Sequence, residues 1–62
     1  MNITPDNITT EQIQEAVEKH IDSEMITEND IAIALKKEYD FGFGDCNLIA
    51  ADYYNYLQLK GM

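Results

Sequence analysis

The chain has no arginine and only four lysines, Lys19, Lys36, Lys37 and Lys60, among its 62 residues. Twelve Asp and Glu stand against them, giving a formal charge of −8 at neutral pH. Contact with each nucleic-acid phosphate needs a cation, and arginine is the commonest reader of guanine edges. A domain with this balance is poorly equipped to hold DNA or RNA. The same excess repels anionic membrane surfaces and favours basic protein partners. Cysteine is represented only by Cys46, which excludes an internal disulfide. Small secreted domains ordinarily need several disulfides, so a reducing, cytoplasmic location is expected. No run approaches the ~20 apolar residues of a membrane span. The opening residues, Met1 to Asp6, lack the basic and apolar regions of a signal peptide. Asn2-Ile3-Thr4 and Asn7-Ile8-Thr9 match the glycosylation sequon and, without a secretory signal, read as coincidence.

Catalytic and metal chemistry are equally short of material. One histidine, His20, and one cysteine do not make a four-ligand zinc site, and no carboxylate cluster has ligand spacing. A Cys46/His20 nucleophilic pair would need an oxyanion site and a substrate cleft, for which a chain this small has no room. Asp40-Phe41-Gly42-Phe43-Gly44-Asp45 lacks the Lys-Ser/Thr of a phosphate cradle and the alternating ligands of a calcium loop. No enzyme activity, cofactor or metal is therefore expected. His20 is expected to be a hydrogen-bonded core residue, with a pH switch as the functional alternative. Cys46, in the first turn of a helix, is expected to be made more acidic by the helix dipole.

What is present is helix grammar. The hydrophobic fraction of 45% is too high for a disordered acidic tail and suits one small domain with a thin core. Thr9 with Gln12 three residues later has the form of a capping box, with Ile8 and Ile13 placed as a hydrophobic staple. Thr27 is a second cap, with Ile26 and Ile31 as its staple, and Glu11, Glu28 and Asp30 fall in first turns where negative charge is favoured. These signals predict helices over about 10–23 and 28–39. The two glycines at 42 and 44 predict a turn with unusual backbone angles, over which Phe41 and Phe43 lid the core. A third helix is expected over about 46–60, capped by Asp45 and stopped by Gly61. The expected fold class is all-α: a compact three-helix bundle of helix-turn-helix-like arrangement, without a wing.

At about 100° per residue, helix 1 turns Ile13, Ala16, Val17, His20 and Ile21 inward. Glu11, Glu15, Glu18 and Asp22 form a narrow stripe on its opposite side. That stripe is either a solvated face or a negative edge for a basic partner. Helix 2 turns Ile31, Ala34, Leu35 and Tyr39 inward and leaves Ile33 outside beside Asn29, Lys36 and Lys37. Helix 3 is apolar on two sides. Ile49, Ala50, Tyr53, Tyr56 and Leu57 face one way, and Leu48, Ala51, Asp52, Asn55 and Leu59 face the other. Either the bundle wraps this helix closely, or the second side meets a dimer mate or partner protein. Tyr54, at the shoulder of helix 3, reads as an interface anchor.

Helix 2, the turn and helix 3 resemble a helix-turn-helix unit. More narrowly, Ile26-Thr27 through Ala50-Ala51 and Leu57-Gln58-Leu59-Lys60-Gly61 are weakly similar to the winged-helix gamma domain of FtsK/SpoIIIE-type DNA translocases. The likeness spans about 35 residues of elements common to winged helices. It implies a trihelical fold that contacts DNA through helix 3. The family's Asn-Arg pair beside the Ala pair is replaced here by Leu48 and Ile49, and the chain stops at Met62 where the family continues into a wing. The leading expectation is an acidic protein-binding module, similar to regulators or inhibitors carried by mobile elements such as phages, some of which present carboxylates to a basic groove. Glu11, Glu15, Glu18 and Asp22 would steer it; Ile33, Leu48, Asp52, Tyr54, Asn55 and Leu59 would supply contact area. The alternatives are a DNA-binding dimer, with Lys36, Lys37 and Lys60 on phosphates and Asn47 or Asn55 on adenine, and a homo-oligomer joined through helix 3.

Overall fold

Local capping sets where the first two helices begin. The computed structural model describes residues 2–61, so Met1 and Met62 lie outside the account. The Thr9 side chain accepts from the Gln12 amide at 3.2 Å while the Gln12 side chain accepts from the Thr9 amide at 2.9 Å. This closed capping box starts α1 (Thr10–His20). Thr27 and Asp30 exchange the same two bonds at 3.2 and 3.1 Å and start α2 (Glu28–Tyr39). Ile8 and Ile26, just before the caps, pack on the core that holds Ile13 and Ile31. The third helix is α3 (Phe43–Lys60), so the described chain is an all-α three-helix bundle.

Two boundaries differ from expectation. α1 stops at His20 rather than near residue 23, because Ile21 turns to an extended conformation and packs against the core. Lys19 and His20 complement the negative helix end, whereas Asp22 in a further turn would oppose it. α3 starts three residues early. Its N-cap is Gly42, which has no side-chain cap bond, and Asp45 is not the cap but sits in the first turn. The amide of Cys46 bonds to the Gly42 carbonyl at 2.9 Å. Gly42 is therefore an acceptable cap despite lacking a side chain.

The turn between α2 and α3 is three residues long, Asp40-Phe41-Gly42. The glycines do not supply its unusual angles. Asp40, at φ 57°, is the residue in the left-handed region, and no described glycine has positive φ. Asp tolerates that region better than most residues. Phe41 folds back, is buried, and stacks on Tyr39 with ring centroids 5.2 Å apart. Phe43 does not lid the core: it is 73% exposed, because starting α3 at residue 43 turns its ring outward.

The core is built from three short rows: Ile13, Ala16 and Val17 on α1; Ile31, Ala34 and Leu35 on α2; and Cys46, Ala50 and Tyr53 on α3, with Phe41 closing one end. Ile31, Ala34 and Leu35 are fully shielded, which puts α2 at the centre. α2 packs along both neighbours, whereas α1 and α3 meet each other only sparsely. That asymmetry leaves a cleft between α1 and α3.

Candidate functional site: an acidic helix face and two grooves

No polar or charged side chain is buried among the described residues, so every carboxylate there reaches solvent. Of the twelve, only Glu38 and Asp40 meet a cation among the described residues. Glu11, Glu15 and Glu18 are exposed on α1, on the side opposite its core row. Asp22 is also exposed, but it belongs to the connection after α1 rather than to the helix. The one lysine of α1 does not neutralise the stripe. Lys19 Nζ lies 3.3 Å from Glu38 Oε1 on α2.

His20 is not a core residue. It is half-buried at the α1–α2 seam, where its Nε2 donates to Glu38 Oε1 at 2.9 Å. The hydrogen bond from His20, and next that from Lys19, hold the Glu38 carboxyl below its usual value. Cys46 behaves opposite to expectation. Its thiol is buried, donates to the Phe41 carbonyl at 3.6 Å, and is pushed up by desolvation rather than acidified. Burial outweighs the helix end at this position. Among the described residues no three of His, Cys, Asp and Glu converge as a metal would require. No helix in this region is long and apolar enough to cross a membrane.

The contact residues read from the sequence fall on separate surfaces. Leu48, Asp52, Asn55 and Leu59 share the outer face of α3 and are exposed, Leu48 at 68% and Leu59 at 70%. The bundle does not wrap this face. Tyr54 is elsewhere, half-buried against the core. Tyr56, expected to point inward, is substantially exposed, and its ring stacks on Tyr53 with centroids 6.0 Å apart. Ile33 sits at a small groove of about 190 Å³ between α2 and the start of α3, with Phe43, Lys36, Lys37 and Asn47. Lys36 Nζ lies 5.2 Å from the Phe43 ring centroid and 3.0 Å from Asp40.

The lysines assigned to phosphates in the DNA-binding alternative lie at two separate places. Lys36 and Lys37 border the first turns of α3, while Lys60 ends the same helix beside the Tyr56 ring. The helix between Phe43 and Lys60 is about 25 Å long. The cations thus stand near the two ends of α3, and Lys36 is paired with Asp40.

A larger groove, of about 480 Å³, occupies the cleft between α1 and α3. Val17, Ile21 and Ile26 line one side of it, and Tyr53, Tyr56 and Leu57 the other. Glu18 of the acidic stripe forms part of its α1 rim, and Lys60 stands at the α3 rim. Sequence patterning missed this groove. It assigned Val17, Ile21, Tyr53 and Leu57 to a closed interior, since a helical period gives the side a residue faces and not what covers it. No family model, curated protein or solved structure matches the chain.

Proposed function

We propose that the chain is a non-enzymatic, acidic protein-binding module that acts as a regulator or inhibitor by docking on a basic protein surface. The uncompensated carboxylates of α1 carry this reading. Glu11, Glu15 and Glu18 project from one exposed face with no cation paired to them among the described residues. Spaced at three and four residues, they present one charge per about 5 Å of helix axis. A nucleic-acid strand presents one phosphate per ~3.4 Å. The face is thus a sparser version of what a phosphate-binding groove receives, enough to occupy part of such a groove. The charges span about 10 Å, close to the Debye length in physiological salt, so an approaching partner meets them as one patch. Charge of this kind raises the rate of encounter more than the final affinity. Apolar area must then hold the complex, and the outer face of α3, with Leu48 and Leu59, supplies it.

A reducing cytoplasm suits the free thiol of Cys46. The kinship in chemistry is with small acidic regulators of mobile elements. One observation favours a second reading, association of two copies through α3: Leu48 and Leu59 both point away from the core of their own bundle. Light scattering at high concentration separates the two, since a monomer there eliminates the homo-oligomer. The leading reading is tested by isolating the partner from the native cell and titrating it in a salt series. The combined variant Glu11→Gln, Glu15→Gln, Glu18→Gln, Asp22→Asn should bind about tenfold more weakly, with a flatter salt dependence. Equal affinity and equal slope would remove the stripe from the mechanism.

A further inference from the structure

The groove between α1 and α3 has an apolar floor with Glu18 on its α1 rim, and we propose that it receives a cationic amphipathic helix of the partner. The inference deepens the acidic-module reading and rests on it. Its floor is apolar, formed by Val17, Ile21 and Ile26 on one side and Tyr53 and Leu57 on the other. Its α3 wall runs from Tyr53 to Gly61, about 12 Å of helix axis, which is two helical turns. Two turns of an incoming helix bring apolar side chains at i, i+3 or i+4, and i+7 onto one stripe. The site exists because α1 and α3 each pack on α2 and only sparsely on each other. A fourth helix would complete the bundle there.

Charge decides what that helix carries. The α1 rim is Gln14 and Glu18, and Glu15 and Glu11 extend the negative face of α1 away from the groove with no cation paired to them among the described residues. A helix lying in the groove with lysine or arginine along its α1-facing edge meets Glu18 there, on a protein whose formal charge is −8. An acidic helix meets like charge there. Lys60, beside the Tyr56 ring, is the one cation on the opposite rim and leaves room for a single carboxylate. The acidic stripe and the apolar floor thus act on one ligand: the first draws it in, the second holds it.

The test uses three labelled peptides of about 15 residues, long enough for marginal helicity in water. One places leucines at helical spacing with lysines elsewhere. The second replaces every lysine by glutamate. The third scrambles the leucine–lysine sequence. Anisotropy titrations against the full chain should rank the patterned lysine peptide first by about tenfold or more. Amide shifts in an NMR titration of the unaltered protein should concentrate at Val17, Ile21, Tyr53 and Leu57. Tyr56→Ser, at an exposed rim position, and Leu57→Gln, on the floor, should each weaken binding about tenfold without changing its salt slope. Glu18→Gln should flatten that slope. Equal binding of the scrambled peptide, or indifference to both groove variants while Glu18→Gln still acts, would overturn the groove and leave the acidic stripe standing. Preference for the glutamate peptide would overturn both.

Discussion

Leucine stands on both the inner and outer faces of the bundle, and replacement at the two positions should have very different costs. Leu35, at the centre of α2, is fully shielded, whereas Leu48 on α3 keeps 68% of its surface in water. Leu35→Ala removes buried methyls and leaves a cavity, at a cost of about 2 to 5 kcal/mol. A chain of this length has a total stability of about 3 to 9 kcal/mol. That single change should therefore remove about half of the total and lower the urea midpoint in proportion. Full burial of a leucine stabilises by about 1.5 to 3 kcal/mol, so the third of Leu48 that is covered accounts for at most about 1 kcal/mol. Glutamine has nearly the helix propensity of leucine and adds no charge beside Asp45 and Asp52. Leu48→Gln should shift stability by less than about 1 kcal/mol. Urea titration followed by circular dichroism measures both. If Leu48→Gln proved as damaging as Leu35→Ala, the outer face of α3 would be part of a packed interior, and the assignment of that face would be wrong.

The Asp40→Gly variant should be more stable by about 0.5 kcal/mol, because relief of a left-handed residue, about 1 kcal/mol, exceeds loss of the exposed Lys36 ion pair; a lower denaturation midpoint would contradict this. Thr27→Ala opens the second capping box and should cost about 1 kcal/mol, read as a shift in thermal midpoint, and no shift would show that the cap contributes nothing. Glu38 predicts a pH dependence. Its carboxyl is lowered in the fold by His20 and Lys19, so it adds stability above the unfolded carboxyl range, about pH 4 to 5, and that contribution is lost as the pH falls through the lower folded value. Glu38→Gln should flatten the acid limb of the stability profile; a limb identical to that of the unaltered chain would remove the seam from the account.

The helix starts at residues 10 and 28 are legible in the sequence because everything that makes them is local. Thr9 and Gln12, and Thr27 and Asp30, carry both halves of each box within four residues. The start of α3 is not legible in the same way. Gly42 caps without a side chain, and Gly44 looks like a breaker although it sits exposed inside the first turn. The left-handed angle falls on Asp40, which glycine-based reasoning passes over. The acidic stripe is readable as a face because a 3.6-residue period places it there, except for Asp22, which the early end of α1 removes from the helix. The groove between α1 and α3 escapes sequence reasoning because it depends on α2 taking both neighbours. Val17, Tyr53 and Leu57 have the pattern of core residues whether or not α1 and α3 close against each other.

The central claim is electrostatic, and one paired titration tests it most directly. A labelled mixed-sequence DNA duplex and a labelled lysine-rich peptide are each titrated with the isolated chain at low salt, where charge effects are largest. The account predicts binding to the cationic peptide that fades as salt is added, and none to the duplex. Saturable capture of the duplex, with the peptide left free, would contradict it.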